Sequence, residues 1–172
     1  MNDNLHEFQV VPISTTEMLA YCYGFFDGEG TIGIKKPSPN KSYYVSVRAT
    51  QKEIGPLIIL KSMFGGSVRR SRRRGIWILH EWQITKRKEI VYFLETGMRY
   101  LLCKRSEAQA ALNLIRAVES RNANRWSPLT GSDLEKQKVF YDECRKAKQL
   151  RSILVDEDGQ SELPVAFRFS GV

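Results

Sequence analysis

Histidine is nearly absent from this chain: His6 and His80 are the only two in 172 residues. That excludes a His-rich metal site and leaves a Ser/His/Asp triad poorly supported. The three cysteines, Cys22, Cys103 and Cys144, are odd in number and far apart. They exclude a disulfide framework and any CxxC zinc module. No apolar run approaches the roughly 18 residues a membrane helix needs, so no membrane partner is expected. The N-terminus, MNDNLHEFQVV, lacks the charged-then-apolar order of a signal peptide, so secretion is disfavoured.

What the chain has in excess is positive charge. Lys and Arg number 27 against 19 Asp and Glu, for a net charge of +8. The excess is concentrated. Residues 31–105 hold 17 basic and 4 acidic side chains, a net of +13, and the remainder holds 10 and 15, a net of −5. With 42% hydrophobic residues the chain can bury a core, and its length suits one domain. A domain with a basic middle and acidic ends points to nucleic acid. A basic face kept for solubility is the plainer alternative. A membrane surface fits less well, because the basic residues lie in strand-like segments and not on an amphipathic helix.

Residues 1–14 read as an N-terminal extension, 15–155 as one domain and 156–172 as a loose acidic tail. Ser14 with Glu17 has the spacing of a capping box and predicts a helix over about 16–26, apolar nearly all round. Residues 31–36 and 42–51 alternate apolar and polar across the turn cluster Pro37-Ser38-Pro39-Asn40, which predicts a hairpin with one apolar and one polar-basic face. Pro56 opens a helix to Phe64 that Gly65-Gly66 stops. Residues 67–72 and 76–84 form a second hairpin around a basic turn. Helices follow at about 86–95, 104–119 and 132–152. The expected fold is α+β, a four-stranded antiparallel sheet with helices on one face.

The most informative segment is YCYGFFDGEGT, residues 21–31. Gly24 and Gly28 are four apart and share a helix face, where small residues let two helix backbones approach. Asp27 and Glu29 sit where that helix ends, and carboxylates there oppose the helix dipole. A divalent cation would account for them, since hard cations take carboxylate and carbonyl oxygens. An ordinary glycine cap with two solvated acids is the alternative.

GFFDGEGTIGI resembles the LAGLIDADG motif of homing endonucleases. Thr50-Gln51-Lys52 closing the first hairpin, Trp82-Gln83-Ile84 ending the second, and the entry to a later helix at Lys104 extend the likeness. It covers residues 15–118 well and the rest loosely. It implies the αββαββα fold with a saddle-shaped sheet, and two motif helices packed about a two-fold axis. One motif per chain then implies a homodimer, with Gly24, Gly28, Cys22 and Phe25 at the interface. Packing of that glycine face on residues 104–119 of the same chain is the alternative. By the same matching Glu29, Gln51 and Lys104 are catalytic. Glu29 and the Gly28 carbonyl hold Mg²⁺, a site that Mn²⁺ or Ca²⁺ can also occupy. Gln51 positions water or metal, Lys104 polarises the surrounding solvent, and Asp27 is assigned to the helix end. Many members have Asp at the place of Glu29. Some carry a basic residue four positions after the Gln, where this chain has Gly55; Lys52 or another arginine is the candidate substitute.

The partner implied is double-stranded DNA with a long pseudo-palindromic target. An antiparallel sheet in the major groove can read base edges. Alternation places Thr31, Gly33 and Lys35, then Ser42, Tyr44, Ser46, Arg48 and Thr50, then Ser67, Arg69 and Ser71 toward DNA. Arg48 and Arg69 are candidates for bidentate guanine contacts, and Arg72, Arg73 and Arg74 for phosphates. The parity of the fourth strand is left open. The expected activity is Mg²⁺-dependent, site-specific double-strand cleavage by in-line attack of water, leaving short 3′ overhangs, in an intron-encoded enzyme. The competing readings are a maturase bound to host intron RNA and a non-catalytic DNA-binding regulator. The compartment stays open between an organelle, chloroplast or mitochondrion, and bacterial or phage-infected cytoplasm.

Overall fold

The computed structural model describes residues 13–36, 38, 41–72, 78–122 and 129–156. Helix α1 spans Thr15–Glu29. Its start is the expected capping box: Glu17 N–H donates to Ser14 Oγ at 3.2 Å, and Ser14 N–H to Glu17 Oε2 at 2.7 Å. Its end lies three residues beyond the sequence expectation, at Glu29, and is capped by Gly30, whose N–H bonds Phe26 O. Asp27, Gly28 and Glu29 therefore form the last turn of α1 and do not follow it. A Cβ at position 30 would stand 2.4 Å from Phe26 O, so only glycine allows this close exit into the sheet.

Strands β1 (Gly30–Lys35) and β2 (Tyr44–Gln51) pair antiparallel, as do β3 (Ser67–Arg72) and β4 (Ile78–Ile84). The sheet order is β1-β2-β4-β3, so the two hairpins join through β2 and β4, with Val47 opposite Ile84 and Gln51 opposite His80. Between the hairpins runs α2 (Gly55–Phe64), ended by Gly65 and Gly66 at φ +76° and +78°. Then come α3 (Arg87–Gly97), α4 (Arg105–Asn122) and α5 (Gly131–Asp156). Among the described residues no helix is long and apolar enough to cross a membrane.

The inward residues Ile32, Val47, Ala49, Trp82 and Ile84 are at most 1% exposed and form the floor of the core. Phe26, Phe93 and Trp82 meet edge to face above it. Each such side chain contributes roughly 1.5–3 kcal/mol by leaving water. Tyr23 stacks on Tyr100 and donates its hydroxyl to Phe93 O at 2.7 Å, fixing α1 against α3. A second cluster, with Ile34, Tyr43, Leu114 and Cys144, seats α5 on α4 and on the β1 edge.

Register settles the parity left open. Glu81 lies opposite both Thr50 and Arg69, and Gln83 opposite Arg48 and Ser67. Leu79, Glu81 and Gln83 thus share the polar face, while Trp82 and Ile84 point to the core. The sheet is four-stranded and antiparallel with its helices on one face, the expected α+β arrangement.

Candidate functional site

The end of α1 and the start of α4 lock reciprocally. The Asp27 carboxylate accepts N–H bonds from Leu102 (2.6 Å), Cys103 (3.1 Å) and Lys104 (3.1 Å). It caps α4 from another element, supplying the acceptor that a helix N-terminus lacks. In return, Lys104 Nζ donates to the carbonyl oxygen of Asp27. That places an ammonium at the negative end of α1, where no basic residue of α1 itself stands. Lys104 is 4% exposed, and burial, with Arg151 nearby, holds its pKa below the usual lysine range. Placement of Asp27 at the helix end is therefore a matter of stability, contrary to the dipole argument from sequence.

That leaves Glu29 as the acid the fold does not use. It is exposed, at the tip of α1, and has no hydrogen bond or ion pair among the described residues. Gln51, at the end of β2, stands two residues past Ala49, the partner of Gly30. Its Oε1 accepts from Lys52 N–H at 2.8 Å. Opposite it, His80 Nδ1 lies 2.9 Å from Lys52 O. Among the described residues no three of His, Cys, Asp and Glu converge. One carboxylate and one helix-end carbonyl per chain are all-oxygen donors. Such a set suits Mg²⁺, which binds through one or two carboxylates and completes its shell with water and substrate phosphate.

On the polar sheet face, Arg69 Nε and Nη2 donate to Glu81 Oε1 at 3.0 and 2.6 Å, and Nη2 also reaches Gln83 Oε1 at 3.3 Å. Arg48 Nη1 lies 3.8 Å from Glu81 Oε2. The two arginines expected to read guanines are thus tied to one carboxylate only 9% exposed, with Arg69 64% and Arg48 43% exposed. Glu81 escaped sequence reasoning because 76–82 is apolar on both faces apart from His80 and Glu81. Lys35, Tyr44 and Ser67 are exposed, and Ser42 and Thr50 half-buried, on or beside this face. Ser46 is 8% exposed, which corrects its assignment as an open contact: its neighbour in register, Gly33, is covered from α5. Ser71 and Arg72 lie in β3, while Arg73 and Arg74 fall outside the described residues.

Gly24 and Gly28 are exposed, and among the described residues a Cβ at either would meet nothing within 4 Å beyond its own helix. This face does not pack on α4. Phe25 is half-buried beside it. Cys22 corrects the expected interface set: it is fully buried in the chain's own core, because it lies on the side of α1 turned to the sheet.

No protein-family model and no curated protein matches the sequence. Solved structures do match. The homing endonuclease I-CvuI, solved with its target in the presence of 2 mM Ca, shares 22% identity over 84% of this chain and 86% of its own, with a TM-score of 0.59. An archaeal intron-encoded homing endonuclease complexed with DNA shares 15% over 88% and 91%, with a TM-score of 0.64. The I-SmaMI LAGLIDADG homing endonuclease bound to cleaved DNA shares 17% over 86% of this chain and 51% of its own, with a TM-score of 0.61. A sheet with one helical face, a glycine-faced α1 ending in Asp-Gly-Glu-Gly, and these neighbours lead to one conclusion: the chain has the LAGLIDADG homing-endonuclease fold.

Proposed function

We propose that this protein is a homodimeric, Mg²⁺-dependent DNA endonuclease that cuts both strands of a long pseudo-palindromic site and leaves short 3′ overhangs, in an intron-encoded homing role. The observation that carries the proposal is the division of labour in the motif. Asp27 is consumed by the α4 cap, whereas Glu29, at the end of α1 next to the open Gly24/Gly28 face, is exposed and has no partner among the described residues.

Two copies joined through that glycine face would bring two Glu29 side chains side by side, one for each strand. Glu29 and the Gly28 carbonyl would hold the cation. The bound ion supplies an acidified water and charge stabilisation at the phosphate. The chain's own residues do the rest. Lys104, buried against Asp27 O, keeps a fixed positive charge behind the motif and stabilises the phosphorane-like charge through space. Gln51 offers an amide that can orient water at the end of β2. The polar sheet face, from Lys35 and Tyr44 across Arg48 to Arg69 and Gln83, holds the major groove and fixes the register of the cut.

The test is to incubate the protein with Mg²⁺ and a randomised library of DNA duplexes, then sequence the new ends. Double-strand breaks at one recurrent, pseudo-symmetric sequence with 3′ overhangs are expected. Intact DNA, or breaks without sequence preference, would refute the reading.

A further inference from the structure

Sequence reasoning assigns every DNA contact to residues 31–105, yet the structure brings two basic side chains of α5 to the same site. Arg151 Nη1 donates to Glu107 Oε1 at 2.8 Å. Glu107 sits in the first turn of α4, three residues after Lys104, and its side chain is 2% exposed. Its other oxygen, Oε2, is buried with no hydrogen-bond partner among the described residues. A buried, half-satisfied carboxylate is costly, and a hydrophobic residue would pack there more cheaply. Stability alone does not explain it. Three residues before Arg151 and on the same side of α5 is Lys148. Its Nζ lies 3.4 Å from where a Cβ on Gly33 would stand, on the polar face of β1. So α5 carries a basic row from the sheet's DNA-facing side to the Lys104 corner of the motif.

The geometry points to Arg151 as a phosphate-binding residue of the cleavage site, delivered by the C-terminal helix and held in place by Glu107. A guanidinium has five donors in a rigid fork. Nη1 bonds Glu107 Oε1, and with the side chain 37% exposed the other donors of the fork are left for a phosphate. Glu107 is the anchor and does not touch DNA. Lys148, three residues back, follows the same strand along β1. The inference rests on the DNA-cleaving reading for the identity of the ligand, and its test is a binding measurement that does not need cleavage.

The probe is a DNA duplex of arbitrary sequence, bound in chelator so that no metal contributes. The informative variant is Glu107→Gln with Arg151→Gln. It removes both charges together, leaves net charge unchanged and strands no buried ion. The plot of log affinity against log salt should become shallower by about 0.9 for each protomer bound, because one phosphate contact is lost. If Arg151 serves only to neutralise Glu107, this double variant will bind with wild-type affinity and slope, and the inference is wrong. A second measurement uses the unaltered protein. Arginine-specific modification read by mass spectrometry should show Arg151 protected by the duplex, and Arg116, 60% exposed and paired with Glu95 on the helical side, unprotected. Equal modification of Arg151 with and without DNA would overturn the assignment. Wild-type protein that binds but never cuts a target would sink the nuclease reading and leave this one standing.

Discussion

Asp27 and Lys104 each complete the helix end that the other begins. The carboxylate of Asp27 caps α4 through three N–H bonds, and the ammonium of Lys104 closes the carbonyl end of α1. The candidate site is built on this lock, since Gly28 and Glu29 continue α1 from Asp27.

Asp27→Asn should therefore act on stability and leave the metal-binding position intact. An amide offers one acceptor oxygen where the carboxylate offers two, and the charge assistance is lost. A loss of about 2 kcal/mol is expected from the urea midpoint. DNA affinity at a temperature where the variant is folded should stay at the wild-type level.

Glu81 sets a second expectation. It accepts two N–H bonds from Arg69 on one carboxylate oxygen and keeps Arg48 within 3.8 Å of the other. Glu81→Gln removes a negative charge from a face that meets phosphates, so affinity for arbitrary DNA should rise, roughly threefold to tenfold at low salt. Discrimination at the base pairs under Arg48 and Arg69 should fall at the same time, because the two guanidiniums lose their common anchor. Competition binding against single-base variants of the target reads both effects.

Gly24→Leu separates assembly from folding. Among the described residues nothing outside the helix itself lies within 4 Å of the new Cβ, and leucine favours the helix more than glycine does. The protomer should keep or slightly raise its melting temperature. In sedimentation the wild-type chain should run as a dimer and the variant as a monomer.

Cys22 gives a pH dependence with a definite sign. Burial pushes its thiol up to about 11, against 9.0 for a free thiol. The folded state thus keeps a proton that the unfolded chain gives up. The associated stability is fully present below pH 9.0 and is lost as pH rises toward about 11. Cys22→Val, which removes the thiol, should flatten that part of the alkaline decline in urea midpoint. An unchanged decline would place its origin elsewhere, in Tyr23 above all, whose hydroxyl is also shifted upward by burial.

Much of this was legible in the sequence, because period and punctuation act locally. Ser14 and Glu17 announced the start of α1, Gly65-Gly66 the end of α2, and alternation in 44–51 the two faces of β2. The end of α1 was misjudged by three residues. Acids and glycines argue against helix, but the partner that holds Asp27 in the last turn lies 75 residues away at Leu102. Glu81 was hidden for the same reason, since the arginine that defines its role comes from a neighbouring strand. Arg151 and Glu107 are 44 residues apart, and only the packing of α5 on α4 brings them together.

The central claim is that Glu29 is the acid of the motif that does chemistry. Glu29→Gln keeps the size and removes the charge, at a position with no hydrogen-bond or ion-pair partner among the described residues. The measurement is single-turnover cleavage of the selected target in Mg²⁺, beside binding of the same duplex in Ca²⁺. The account predicts cleavage reduced by at least about a thousandfold, with affinity unchanged or slightly tighter and the melting temperature unchanged. Cleavage by Glu29→Gln at the wild-type rate would contradict it.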